Sequence, residues 1–179
     1  MDKDVRRLST IASRFSKIGS QPQIERFELG EVVTGAADYM RTRISSRIAL
    51  TVTVTDGELP VAMSEPLIEW VMENLIKNAV DAMEGAGRIT ITASADESRR
   101  QAIVEVSDTG RGMTRKMRKD VFRPGFTTKK RGWGLGLTLA RRIIQQYHHG
   151  RIYVSDSEPG AGTTFRILLP LITADGKKV

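Results

Sequence analysis

Val104-Glu105-Val106-Ser107-Asp108-Thr109-Gly110-Arg111-Gly112-Met113 decides how the rest of the chain is read. Ala102, Val104 and Val106 fall on one side of a two-residue repeat, with Ile103 and Glu105 on the other. That alternation marks a strand with one face in a core. The strand runs into a carboxylate and two glycines spaced by one residue. Glycine adopts backbone angles closed to other residues and lets a flat ligand come close. A carboxylate at a strand end can accept a hydrogen bond from an exocyclic amine, such as that of adenine. Alone, Asp108-x-Gly110-x-Gly112 also fits an ordinary turn, so its meaning depends on its surroundings.

Upstream, Arg88 to Ala95 alternates as a partner strand, joined through a polar loop at Asp96 to Arg100. Before it, Ile68, Met72, Leu75, Ala79 and Met83 form the apolar stripe of a long helix. Ser64 stands at its N-cap with Glu65 and Pro66 in the first turn, and Gly85 and Gly87 end it. Further back lie a strand over Ile48–Thr55, a helix over Glu31–Arg47 and a short apolar stretch at Phe27–Val33. Downstream come a helix over Leu135–Tyr147 and strands over Arg151–Ser155 and Thr163–Leu169. The expected fold is α+β. It is a two-layer α/β sandwich whose mixed sheet of about five strands is covered on one face by about three helices. Residues 1–20 precede it as a helix, with Val5, Leu8, Ala12 and Phe15 on a narrow, coiled-coil-like stripe that calls for a partner.

Composition removes several chemistries. The 179 residues include no cysteine, so thiol nucleophiles, disulfides and thiolate metal sites are excluded. The two histidines, His148 and His149, are adjacent, which disfavours a histidine-rich metal site. No apolar run reaches the ~18 residues of a membrane span, and no leader is expected. The net charge is +7, from 28 basic and 21 acidic residues. Such a balance first suggests nucleic acid or an anionic surface. Its distribution argues otherwise. Between Arg111 and Arg131 lie nine basic residues and one acid, a net +8, and the rest of the chain is nearly neutral. Among these cations Arg115, Lys116, Arg118 and Lys119 are expected to be solvated or to meet a partner. The segment has no aromatic stacking platform of the kind single-strand binders use.

Three further patterns bracket that segment. On the long helix, Asn74, Asn78 and Asp81 form a polar line, beside Glu73 and Lys77, which also fit an ordinary i,i+4 ion pair. Asparagine is a mediocre helix former, and its neutral amide oxygen suits a Mg²⁺ ion that already carries phosphate ligands. Gly132-Trp133-Gly134-Leu135-Gly136-Leu137 opens a helix, where backbone N–H groups face an anion. It follows no strand, which excludes a dinucleotide-binding fingerprint. Gly160-Ala161-Gly162-Thr163-Thr164-Phe165 enters the last strand.

Taken in order, Asn-x-x-x-Asn, D-x-G-x-G, Phe122 to Phe126 with Thr127-Thr128-Lys129, G-x-G-L-G-L and G-T-T-F resemble the boxes of the histidine-kinase ATP-binding domain. That family shares the Bergerat fold with gyrase B, MutL and heat-shock chaperone ATPases. The resemblance spans roughly Phe27 to Leu169, and residues 1–20 are similar to the second helix of the dimerisation and phosphotransfer hairpin. It implies domains at 1–22 (partial hairpin helix) and 23–173 (ATP-binding catalytic domain), with a flexible tail at 174–179.

The resemblance also implies roles. Asn74 and Asn78 would hold Mg²⁺ and the triphosphate, Asn78 as the metal ligand and Asn74 also in catalysis, with Lys77 and Asp81 beside the nucleotide and Glu73 helping to polarise the acceptor. Asp108 would accept from the adenine amine, with Gly110, Gly112 and Thr163 or Thr164 around the ring. Phe122 and Phe126 would anchor a lid. Thr128, Lys129, Lys130, Arg131, Gly132, Gly134, Leu135, Gly136 and Leu137 would line the phosphates, with Lys129 acting in catalysis. The reaction would be γ-phosphoryl transfer from ATP to a histidine upstream of residues 1–20. This stretch is therefore expected to bind ATP and not to phosphorylate itself, with His148 and His149 structural. The implied setting is the cytoplasmic part of a membrane-bound bacterial sensor kinase, homodimeric at full length and signalling to a response regulator. A GHKL-type ATPase, a serine-directed kinase and a nucleic-acid module are the alternatives.

Overall fold

In the computed structural model of the chain, residues 22–55, 57–127 and 134–172 are described. The expected helix over 1–20 and tail over 174–179 lie outside the described residues, as do Thr128, Lys129, Lys130, Arg131, Gly132 and Trp133. In chain order the elements are β1 (Glu25–Glu28), α1 (Leu29–Arg41), β2 (Ile48–Val54), β3 (Pro60–Met63), α2 (Glu65–Ala82), β4 (Gly87–Asp96) and β5 (Gln101–Asp108). There follow α3 (Arg115–Asp120), α4 (Gly136–Arg142) with a π-turn at Ile143–Tyr147, β6 (Arg151–Glu158) and β7 (Gly162–Pro170).

Five strands form one sheet in the order β2-β4-β5-β7-β6. The β2–β4 pair is parallel and the others are antiparallel. This is the expected mixed five-stranded sheet. Two short strands escaped the sequence reading: β1 and β3 pair antiparallel as a separate ribbon. Each has only four residues, too few for an alternation to register. The first helix also starts two residues earlier and stops six residues sooner than the periodicity suggests.

Alternation on β5 decides what faces the helices. Ala102, Val104, Val106 and Asp108 are buried while their neighbours are half-exposed. Asp108 is thus the last member of the core-facing row. Above that row lies α2, with Leu67, Ile68, Val71, Met72, Leu75, Ile76 and Ala79 all buried. The apolar surface is wider than the stripe read from sequence, because α2 packs on the sheet and on both α1 and α4.

Ser64 is the N-cap of α2 as expected, yet its side chain makes no capping bond. Instead the Ser64 backbone N–H donates to His148 Nε2 at 3.0 Å. His148 is 3% exposed, and its Nδ1 lies 2.8 Å from the Ile143 carbonyl in the π-turn. The second contact needs a proton on Nδ1 and the first needs a lone pair on Nε2, so the ring is the neutral Nδ1–H tautomer. The histidine expected to be structural is therefore a pin between the start of α2 and the end of the α4 unit.

Burial holds the His148 imidazole below its ordinary value; the Ile143 carbonyl opposes this and neighbouring His149 adds to it. The unfolded chain then takes up the proton at a higher pH than the folded one. Stability is in full above ~6.5 and is lost as pH falls below that value. Denaturant unfolding near neutral pH and at about pH 5.5 checks this. His148→Ala is expected to cost about 1–3 kcal/mol near neutrality, with a smaller further loss on acidification than the parent.

Candidate functional site

The site is built on the upper ends of α2, β5 and β7 and on the segment leading into α4. On α2, Asn74 and Asn78 are half-buried and Asp81 is exposed. Asn74 Nδ2 is buried and has no hydrogen-bond partner. Buried polar groups are nearly always paired, so an orphan donor calls for an explanation. Gly136 stands opposite it. A Cβ there would come within 2.4 Å of Asn74 Oδ1, so any larger residue would push this amide aside. Glu73 and Lys77 form an i,i+4 ion pair at 3.0 Å.

At the base of the expected lid the Gly125 N–H donates to the Gly134 carbonyl at 3.3 Å. Gly134 has φ +63°, and a Cβ there would lie 2.5 Å from the Gly125 carbonyl carbon. Phe122 is buried edge-to-face against Phe165, with centroids 6.1 Å apart. The Arg141 guanidinium lies over its ring, and Thr138 Oγ1 donates to its carbonyl at 3.1 Å. Phe126 and Leu137 pack against the core from half-buried positions, while Leu135 is exposed. Both phenylalanines expected to anchor a lid thus pack on the core.

At the other end, Asp108 is 8% exposed and its Oδ1 accepts the Gly110 N–H at 2.8 Å. Burial pushes the carboxyl up from its ordinary value, against the pull of the Gly110 and Thr163 backbone N–H groups. Thr163 is its cross-strand neighbour and is buried on the same face. Thr164 faces the opposite side, its hydroxyl 2.9 Å from Ser107 Oγ. Of the two threonines, only Thr163 shares the Asp108 face.

The two glycines after Asp108 make close approaches to protein. A Cβ on Gly110 would lie 2.7 Å from the Ala82 carbonyl oxygen, and one on Gly112 would lie 1.8 Å from that of Glu158. They wedge the segment between the end of α2 and the β6–β7 hairpin, where Arg111 N–H bonds Ala82 O and Gly160 N–H bonds Arg111 O.

The basic segment also divides. Arg123 pairs with Asp120 at 3.0 Å. Arg118 is not a solvated cation: it reaches the Ser157 and Ser155 carbonyls on β6 at 3.4 and 3.3 Å. Ser155 lies in the bulge between Val154 and Asp156, and Ser157 follows it. Ser157 and Arg118 were both missed as site residues, because a bulge leaves no mark in an alternating sequence.

Among the described residues, no group of three or more His, Cys, Asp or Glu side chains could hold a metal ion, and no helix is long and apolar enough to cross a membrane. A buried acid on a strand end lies beneath a helix that carries two half-buried asparagines. The profile of the family described as histidine kinase-, DNA gyrase B- and HSP90-like ATPases matches residues 63–173. The chain belongs to that family, as an ATP-binding catalytic domain of the histidine-kinase type.

Sporulation kinase D of Bacillus subtilis (strain 168) is 31% identical over 176 residues, covering 96% of this chain and 34% of its own length. The chain therefore spans about a third of that relative. The solved catalytic domain of histidine kinase ThkA superposes with a TM-score of 0.74 at 28% identity, covering 83% of this chain and 95% of that one. Full-length ShkA, solved in complex with AMPPNP, has a TM-score of 0.76 at 25% identity over 92% of this chain and 35% of its own.

Gly136→Ala is expected to displace Asn74 and weaken ATP binding about tenfold, ~1.4 kcal/mol. Calorimetric titration, with thermal unfolding to confirm the fold, checks it.

Proposed function

We propose that the chain binds ATP with Mg²⁺ and transfers its γ-phosphoryl group to a histidine on the dimerisation hairpin of a longer sensor kinase. The observation that carries this reading is the orphaned Asn74 Nδ2 facing the start of α4. An amide offers an acceptor oxygen and an N–H donor side by side, which suits a ligand with metal and phosphate oxygens together. Asn78 with Asn74 would hold Mg²⁺, which when bound neutralises charge on the phosphates.

The chain's own groups supply the rest. Asp108 accepts from the adenine amine, and its loop is held against α2 at Gly110 and against the β6–β7 hairpin at Gly112. Phe122 and Phe126 anchor the lid that carries Thr128, Lys129, Lys130, Arg131 and Gly132 to the phosphates. Gly134, Leu135, Gly136 and Leu137 form its exit, and Thr163 closes the adenine end. Lys77 and Asp81 lie along the same helix. Glu73, next to Asn74, polarises the incoming imidazole once Lys77 releases it. Little covalent chemistry is asked of the protein, because positioning and charge neutralisation carry phosphoryl transfer. AMPPNP in ShkA and the kinase names of the relatives support this reading. The full-length protein is proposed to be a homodimeric bacterial sensor kinase, cytoplasmic at this end and membrane-anchored, with a response-regulator receiver as phosphate acceptor and no nucleic-acid partner.

Two measurements test this. Incubation with γ-labelled ATP, Mg²⁺ and a separately prepared hairpin bearing the acceptor histidine is expected to label the hairpin and leave this chain unlabelled. Acid-labile label on His148 or His149, or none on the hairpin, would sink the proposal. Asp108→Asn is expected to weaken ATP binding about 10- to 100-fold, the worth of a buried charged hydrogen bond. In the parent, affinity depends on the ionised carboxylate. It should therefore fall with decreasing pH through a value above the ~3.9 of an ordinary aspartate, a dependence that Asp108→Asn lacks.

A further inference from the structure

Ser157 was not among the expected site residues, yet it is 4% exposed and makes three polar contacts. Its Oγ accepts the Met113 N–H at 2.8 Å. It donates to the Gly162 carbonyl at 3.0 Å. It lies 2.9 Å from Thr163 Oγ1. A serine hydroxyl has one proton. Since the Gly162 carbonyl can only accept, that proton is spent there, and the third contact forms only if Thr163 donates to Ser157. The Thr163 hydroxyl has then given up its own proton and offers lone pairs alone. Beside it, on the adjacent strand and the same face, lies the Asp108 carboxylate, which when ionised also only accepts.

Ser157 faces inward because of the β6 bulge. From Ile152 and Val154, an unbroken two-residue repeat would bring Asp156 to the core side. The register shift between Val154 and Asp156 pairs Asp156 with Thr164 and Ser157 with Thr163 instead, leaving Asp156 exposed and Ser157 buried. A bulge that re-aims one side chain beside a binding site is a recurrent device, and Arg118 fastens this one from α3.

We propose that Ser157 is a positioning residue for base selection: by taking the Thr163 proton it makes the Asp108–Thr163 floor an acceptor-only surface, which selects a purine with an amine at position 6. Adenine brings two N–H bonds there, for Asp108 and Thr163 to take directly or through water. Guanine brings a carbonyl oxygen, which meets lone pairs. This rests on the reading of Asp108 as the adenine end of the site.

The test is the ratio of GTP to ATP dissociation constants, each titrated calorimetrically with Mg²⁺. Ser157→Ala frees the Thr163 proton to turn toward the base, and the ratio is expected to fall about tenfold, mainly through tighter GTP binding. Thr163→Val keeps the side-chain shape without the hydroxyl and is expected to narrow the ratio in the same direction, so the proposal remains testable if Ser157→Ala does not fold. Ser157→Thr retains the hydroxyl and is expected to keep the parental ratio. A folded Ser157→Ala or Thr163→Val that binds ATP with the parental ratio overturns the role of Ser157 and leaves the ATP site standing. A parent that binds neither nucleotide overturns the ATP reading and this inference together.

Discussion

The burial of α2 is the constraint on which the site depends. Seven of its side chains are buried against the sheet, α1 and α4, and full burial of each such residue is worth about 1.5–3 kcal/mol. A helix held on so much of its circumference cannot rotate, so the line of Asn74 and Asn78 is fixed by packing far from any ligand. Its start is pinned by a neutral imidazole at Ser64, and its end is wedged by Gly110 and the Arg111 N–H on Ala82. The same rigidity makes the unpaired Asn74 nitrogen informative, because the helix cannot turn to relieve it.

Much of this was legible in the residues. The β4–β5 hairpin, β2, α2 and β7 carry clean two- or 3.6-residue periods, and each appears within a residue or two of its expected place. What the periods could not show lies where local pattern is weak or tertiary geometry overrides it. β1 and β3 are too short to alternate. α3 is six residues in a run of charge with no buried member. The helix after the lid looks uniform in sequence yet widens into a π-turn, which brings the His148 ring back onto the Ile143 carbonyl.

The site divides in the same way. Asp108, Thr163, Phe122 and the glycines stand out as residue types in motif order. Ser157 and Arg118 do not, since one looks like a strand serine and the other like one cation among nine. The D-x-G-x-G glycines were read as making room for a ligand, and the structure gives them a second duty, letting two backbones touch protein at Ala82 and Glu158. Sequence spacing reports that space is needed and is silent on who fills it.

The Arg118 strut joins two parts of the domain that motif order treats as separate. It belongs to the stretch that leads into the expected lid, and it grips the strand that carries Ser157. Exchanging lids between relatives as self-contained cassettes would cut this tie if the junction fell before Arg118. A junction that keeps this tie has to fall after α3, where Phe122 still fastens the segment to Phe165.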